Sequence, residues 1–266
     1  MKRIAVFGPP RSGTSWLAHI FNSHPSVALR FQPLFSYGHK AAISPSSSTN
    51  EINNFFEEIK NSSDPFALMQ SDSQKKYPIF NKAVEPTHLV FKETRYLNVM
   101  RNMLERDHET QLIGVIRNPL ATLASWVRAP KEFSPEWSLA EEWRFAPQKN
   151  QNQDEEYFGY ERWKLAAIDF LSFQTEFPGR FKLIRYGELN SNTEAVVADL
   201  FKFCDLPLSP ATTAFIYDSK SRHDEDPYSV YRANARDDEW KTVLPRYILD
   251  EIFSDLKDTD LESFLA

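Results

Sequence analysis

The first twenty-five residues restrict the fold more than any other stretch. Ile4 to Phe7 is a short apolar run that stops at Gly8 and two prolines, the pattern of a buried strand cut off by turn residues. Thr14 then opens a helical pattern with Trp16, Leu17, Ile20 and Phe21, and His24-Pro25 ends it. Between them lies Gly8-Pro9-Pro10-Arg11-Ser12-Gly13. A strand, a glycine-bounded loop and a helix in that order bring backbone N–H groups and the positive helix end to one point, a cradle for an anion. The two glycines have the spacing of a nucleotide-binding phosphate loop, but Thr14 stands where that loop needs its lysine. Ser15 matches the metal-binding hydroxyl only formally. Without the lysine the main contact to the β- and γ-phosphates is missing. Arg11 instead offers a planar fork to oxygens at a slightly different place. The loop therefore suits a less charged group than a triphosphate, the plain alternative being a turn into a capped helix.

Further strand and helix patterns alternate along the chain. Val27 to Phe31, His88 to Lys92, Leu112 to Ile116 and Phe181 to Tyr186 read as strands. Leu97 to Leu104, Leu120 to Val127, Leu139 to Phe145, Tyr160 to Phe177, Thr193 to Phe203 and Trp240 to Phe253 read as helices. Asn118-Pro119 supplies an N-cap and a first-turn proline. This alternation predicts an α/β fold, a parallel sheet flanked by helices, in one domain spanning residues 1–266. Ser36 to Asn81, with one amphipathic stretch near Ile52 to Ile59, reads as an irregular insertion over one end of the sheet.

A second anion element follows from Ile113 to Pro119. Arg117 emerges at the carboxyl end of a central strand, the usual ligand crevice of open α/β sheets. Ser125 lies about two helical turns on, roughly 12 Å of rise, so one pocket takes both only if the ligand lies alongside that helix. The alternatives are a salt bridge for Arg117 and a packing role for Ser125.

Together the two elements resemble the sulfotransferase superfamily, whose co-substrate is 3′-phosphoadenosine-5′-phosphosulfate (PAPS). Pro10-Arg11-Ser12-Gly13-Thr14-Ser15-Trp16 is similar to the family's 5′-phosphosulfate loop. It is closer to the PRSGTT form of the carbohydrate and protein-tyrosine branches than to the cytosolic PKSGTTW form. Arg117 and Ser125 have the spacing of the family's arginine–serine pair for the 3′-phosphate. Arg185-Tyr186-Gly187-Glu188-Leu189 is similar to its RYEDL, which implies an adenine contact for Tyr186, and Arg232 or Arg236 is a further candidate for the 3′-phosphate. The resemblance implies a phosphate-loop-type sheet with irregular acceptor-side insertions and no metal. It also implies sulfuryl transfer by in-line displacement to a hydroxyl, or less readily an amine, of a carbohydrate or other small metabolite. Arg11, Ser12, Gly13, Thr14, Ser15 and Trp16 would hold the phosphosulfate, and Lys92 would face the transferred group. A strand-end lysine reaching solvent is the other reading of Lys92.

The general base is where the chain departs from the family. One branch carries a histidine two residues after the lysine, here Thr94. Others carry a glutamate where Gln32 stands. Glutamine orients a hydroxyl but does not take its proton near neutral pH. Glu93 would point to the opposite face of its strand, His39 reads as exposed, and His24 as a helix cap. The base is left unassigned. Two other readings remain, a kinase or NTPase of the phosphate-loop type and a non-catalytic nucleotide-binding member of the fold.

Composition limits the partners. A net charge of −6 argues against nucleic acid. The chain has no run of the roughly 18 to 20 apolar residues of a membrane span and no signal-peptide pattern at its start, which predicts a cytoplasmic protein. The lone Cys204, in an apolar run, reads as buried filler.

Overall fold

Five short strands run parallel in the order β2-β3-β1-β4-β5. They are β1 (Lys2–Phe7), β2 (Val27–Phe31), β3 (His88–Glu93), β4 (Thr110–Ile116) and β5 (Phe181–Arg185). The computed structural model describes every residue of the 266 except 72, 73, 75, 76, 234, 236 and 266. Parallel strands must be covered on both faces, and alternation splits each strand between two cores. Ala5, Phe7, Leu89, Phe91, Leu112 and Ile116 face one cluster. Ile4, Val6, Val90, Ile113 and Val115 face the other.

Most expected elements stand where their patterns put them. The helices Thr14–Ser23, Leu139–Phe145 and Thr193–Phe203 are present. In Pro119–Val127 the Asn118 side chain accepts from the N–H groups of Leu120 and Ala121 at 2.9 and 3.4 Å. Leu97 to Leu104 begins as a 3-10 turn before the helix Met100–Arg106. Cys204 is buried among Phe201, Leu206 and Val197 in the second cluster.

Three expectations are corrected. The segment 36–81 does not simply lie over a sheet end. Ser48 and Glu51 form a capping box for the helix Thr49–Lys60, which buries Ile52, Phe55, Phe56 and Ile59 on the first cluster. Each such side chain stabilises by about 1.5–3 kcal/mol, so this stretch is part of the core. The helix expected over Trp240 to Phe253 is two, Trp240–Val243 and Arg246–Leu256, because Pro245 interrupts it. The helix Pro210–Ser221 was not expected, although Ser209 caps it and Pro210 starts it. Among the described residues no helix is long and apolar enough to cross a membrane.

Candidate active site

β1 lies between β3 and β4, so the chain leaves the sheet in opposite directions on its two sides. Crevices of open α/β sheets form at such a reversal, outside the carboxyl ends of the strands. Here those ends deliver the loop after Phe7, Lys92 and Arg117. A cavity of about 760 Å³ opens there.

The first loop is held by its neighbours. Gly13 has φ +90°, and a Cβ on it would lie 2.4 Å from the Tyr186 ring. Arg11 also takes a left-handed φ, 71°, a conformation that costs energy for any residue but glycine. Its side chain spans the cavity: Nε donates to Ser125 Oγ at 3.1 Å and Nη2 to the Pro227 carbonyl at 2.7 Å. Arg117 Nη1 donates to the Arg11 carbonyl at 3.2 Å. Two elements 114 residues apart are thus joined through Arg11, which bonds to Ser125 by its side chain and to Arg117 by its backbone carbonyl.

Arg11, Gly13, Thr14, Ser15 and Trp16 all line this cavity, as do Arg117, Ser125 and Tyr186. Ser12 does not; its side chain is buried behind the loop, and Oγ has no hydrogen-bond partner among the described residues. Arg117 stacks over the Tyr186 ring at 4.7 Å and is gripped by Asp237, its Nε 2.6 Å from Oδ1. Trp16 Nε1 donates to Ser219 Oγ at 3.0 Å. Burial pushes the Tyr186 phenol above its ordinary range and lowers the Arg11 guanidinium.

The other end of the cavity holds Lys92 and Gln32. Lys92 does not reach solvent. It is buried with its ammonium 4.6 Å over the Phe31 ring, and that burial pulls it down to about 7. β3 continues through Glu93, which faces the opposite side and accepts the Leu34 N–H at 2.7 Å. Burial pushes its carboxyl up to about 8. Gln32 and Thr94 are in contact, Nε2 donating to Oγ1 at 2.8 Å. Gln32 sits at φ 44°, its N–H bonded to the Lys92 carbonyl. His39 is bonded to Ser62 and His24 accepts the Ser26 N–H as it caps its helix; neither lines the cavity.

Some lining residues carried no sequence signal. Described residues between His223 and Glu239 line the site from a late crossing segment, and Pro227, Asp237 and Glu239 there hold Arg11, Arg117 and Arg128. Arg232 lines the cavity and donates to the Asp226 carbonyl at 2.6 Å, while Arg236 lies outside the described residues. Trp163 Nε1 donates to the Arg117 carbonyl at 2.9 Å and fixes the backbone there. No group of three or more His, Cys, Asp or Glu suited to a metal occurs among the described residues.

A parallel sheet with a lysine-free anion loop and a second arginine element at its reversal point defines a group-transfer fold of the phosphate-loop type. The sulfotransferase family profile matches residues 3–210, and the chain belongs to that family. The match stops before the crossing segment. The fold is shared with a mouse sulfotransferase solved with PAP, at 14% identity over 99% of this chain and 87% of that one, TM-score 0.57. It is shared too with a sulfotransferase from Alicyclobacillus acidocaldarius, at 15% identity over 100% and 99%, TM-score 0.56. A retinol dehydratase solved with retinol and PAP aligns at 12% identity over 97% and 82%, TM-score 0.55. A search of curated protein sequences found no significant match.

Proposed function

We propose that this protein, as one domain over residues 1–266, transfers a sulfuryl group from PAPS to a hydroxyl of a carbohydrate or other small-metabolite acceptor. The observation that carries the reading is the convergence of Arg11, Ser125 and Arg117 on one cavity. The donor set suits a phosphosulfate with a second, separate phosphate: two arginines and a glycine-bounded loop whose Gly13 leaves no room for a side chain against Tyr186. PAPS, when bound, supplies the transferable sulfuryl group and a stable leaving phosphate.

This chain's residues do the rest. The loop from Arg11 to Trp16 binds the 5′ end, Arg117 with Ser125 binds the 3′-phosphate, and Tyr186 packs on the adenine. Lys92 and Arg11 balance the charge that builds on the leaving side, the larger part of catalysis in transfers of this kind. Gln32 orients the acceptor hydroxyl. The contact of Gln32 with Thr94 is the one observation that favours a non-catalytic member instead, since neither takes a proton. Thr14 in place of a lysine speaks against a kinase. The same reading has the protein act in the cytoplasm on a small molecule, without nucleic acid or metal.

Calorimetric titration with adenosine 3′,5′-bisphosphate (PAP), ATP and 5′-AMP, without Mg²⁺, tests it. PAP is expected to bind at least about tenfold more tightly than the other two, each tenfold step being about 1.4 kcal/mol. ATP binding as tightly as PAP, or tightening with Mg²⁺, overturns the proposal.

A further inference from the structure

Gln32 and Thr94 leave the acceptor end without a base, yet that end does hold a carboxylate. The carboxylates lining the cavity are Glu132, Glu225, Asp237 and Glu239. Asp237 is bound to Arg117, and Glu239 is bound to Arg128. Glu225 is exposed and paired with His223. Glu93 faces the far side of the sheet. Of these four, Glu132 is the carboxylate whose charge acts on both Lys92 and Arg11.

Its placement is built. A turn beyond the helix Pro119–Val127 fixes the backbone: the Glu132 N–H donates to the Ala129 carbonyl at 2.8 Å, and Trp126 Nε1 donates to the Glu132 carbonyl at 3.1 Å. The neighbouring Lys131 N–H donates to the Tyr228 hydroxyl at 2.8 Å, tying this turn to the crossing segment. Lys149 Nζ, 4.6 Å over the Phe158 ring, donates to Glu132 Oε2 at 2.8 Å. Oε1 carries no hydrogen bond to a described residue. The charge of Glu132 is also felt by both Arg11 and Lys92, the two cations at the transferred group in the reading above.

We propose that Glu132 is the general base of the transfer, taking the acceptor's hydroxyl proton on Oε1 while Lys149 holds Oε2. The inference rests on the PAPS reading. The acceptor oxygen forms its bond to sulfur as the bond from sulfur to the 5′-phosphate oxygen breaks, and that electron pair leaves with PAP. The proton passes to Glu132 and from there to solvent. Glu132 is a catalytic residue by contact with the reacting hydroxyl, and Lys149 is a positioning residue.

The test pairs a rate with an equilibrium. Single-turnover loss of radiolabelled PAPS is followed with 2-naphthol, and without it, so that water is the second acceptor. PAP affinity is measured by calorimetry in the same variants. Glu132→Gln is expected to slow the consumption by about 100-fold or more, the usual scale of a base contribution. It is also expected to bind PAP about 3- to 10-fold more tightly, because a negative charge beside Arg11 is gone. Lys149→Met leaves the carboxylate in place and loses clearly less rate than Glu132→Gln. A Glu132→Gln rate within threefold of wild type overturns the proposal. So does a wild-type rate no faster than PAPS free in buffer. Weaker PAP binding in both variants with equal loss of rate makes the pair structural and overturns it too. Wild-type protein that does not bind PAP fails the PAPS reading itself, and the base assignment falls with it.

Discussion

The two ends of the cavity are built on different terms. At the end of Arg11 and Arg117 the site is set by backbone: strand termini, a glycine at φ +90°, an N-cap and a helix start. At the end of Lys92 and Gln32 the ends of β2 and β3 still deliver Lys92, Gln32 and Thr94, but the carboxylate assigned to the acceptor, Glu132, comes from a distant turn and is held there by side chains, Trp126 and Lys149. Backbone geometry needs particular residues at short, fixed spacings, and such spacing is readable. A side chain brought in by tertiary packing needs only to be long enough and of the right charge. The difference teaches that this chain declares what anion it holds far more clearly than what it acts on.

The comparison breaks first at Lys92. If it faces the transferred group rather than the bound nucleotide, Lys92→Met should cost about 100-fold or more in single-turnover PAPS consumption and leave PAP affinity within about threefold. Its ammonium is pulled down to about 7 by burial, so without ligand it carries charge below that pH and loses it above. The rate at subsaturating PAPS, which reports the free protein, should therefore fall as pH rises above about 7, and Lys92→Arg should flatten that fall. Loss of PAP binding in Lys92→Met would merge the two ends into one.

A second effect concerns the sheet behind the acceptor end. Glu93 holds the Leu34 N–H, and burial raises its carboxyl to about 8. A raised folded value means the native state keeps a proton that the unfolded chain has given up. Stability from this group is therefore largest at low pH and declines as pH rises from the ordinary carboxylate range through about 8. Glu93→Gln keeps an acceptor for Leu34 and removes the ionisation. It should stabilise the protein by on the order of 2 kcal/mol at pH 8 and by little at pH 5, read from thermal midpoints.

The smallest effect lies at the nucleotide end. Asp237 grips the guanidinium assigned here to the 3′-phosphate, so a bound phosphate must compete with it. Asp237→Asn should tighten PAP by about 3- to 10-fold in calorimetry and leave 5′-AMP unchanged. Weaker PAP binding would mean that Asp237 orders Arg117 rather than competing for it.

How much was legible follows the same division. The sheet and the two strand–loop–helix turns follow from apolar runs ending in turn residues, whereas Lys92 is singled out by the family resemblance and its burial has no trace in the sequence. The bond from Arg11 to Ser125 is not legible either, because a reach across 114 positions leaves no local trace. Asp237 and Pro227 lie in a polar segment with no period, where Arg232 drew attention only as a lone cation. Glu132 lies in sequence among other acids and basic residues, Glu136, Glu141, Lys131 and Arg128, and only the turn at Ala129 with the hold of Lys149 separates it from them. The helix Pro210–Ser221 was the avoidable miss, since Ser209-Pro210 is an N-cap followed by a first-turn proline.

In the proposed reading Arg117 and Ser125 recognise a phosphate on the ribose 3′ position, which PAP carries and 5′-AMP lacks. Arg117→Ala, titrated calorimetrically with both ligands, tests it most directly. PAP should weaken by about 10- to 100-fold, the scale of lost charge-assisted hydrogen bonds, and 5′-AMP by less than about threefold. Equal losses for the two ligands, or none for PAP, would contradict it.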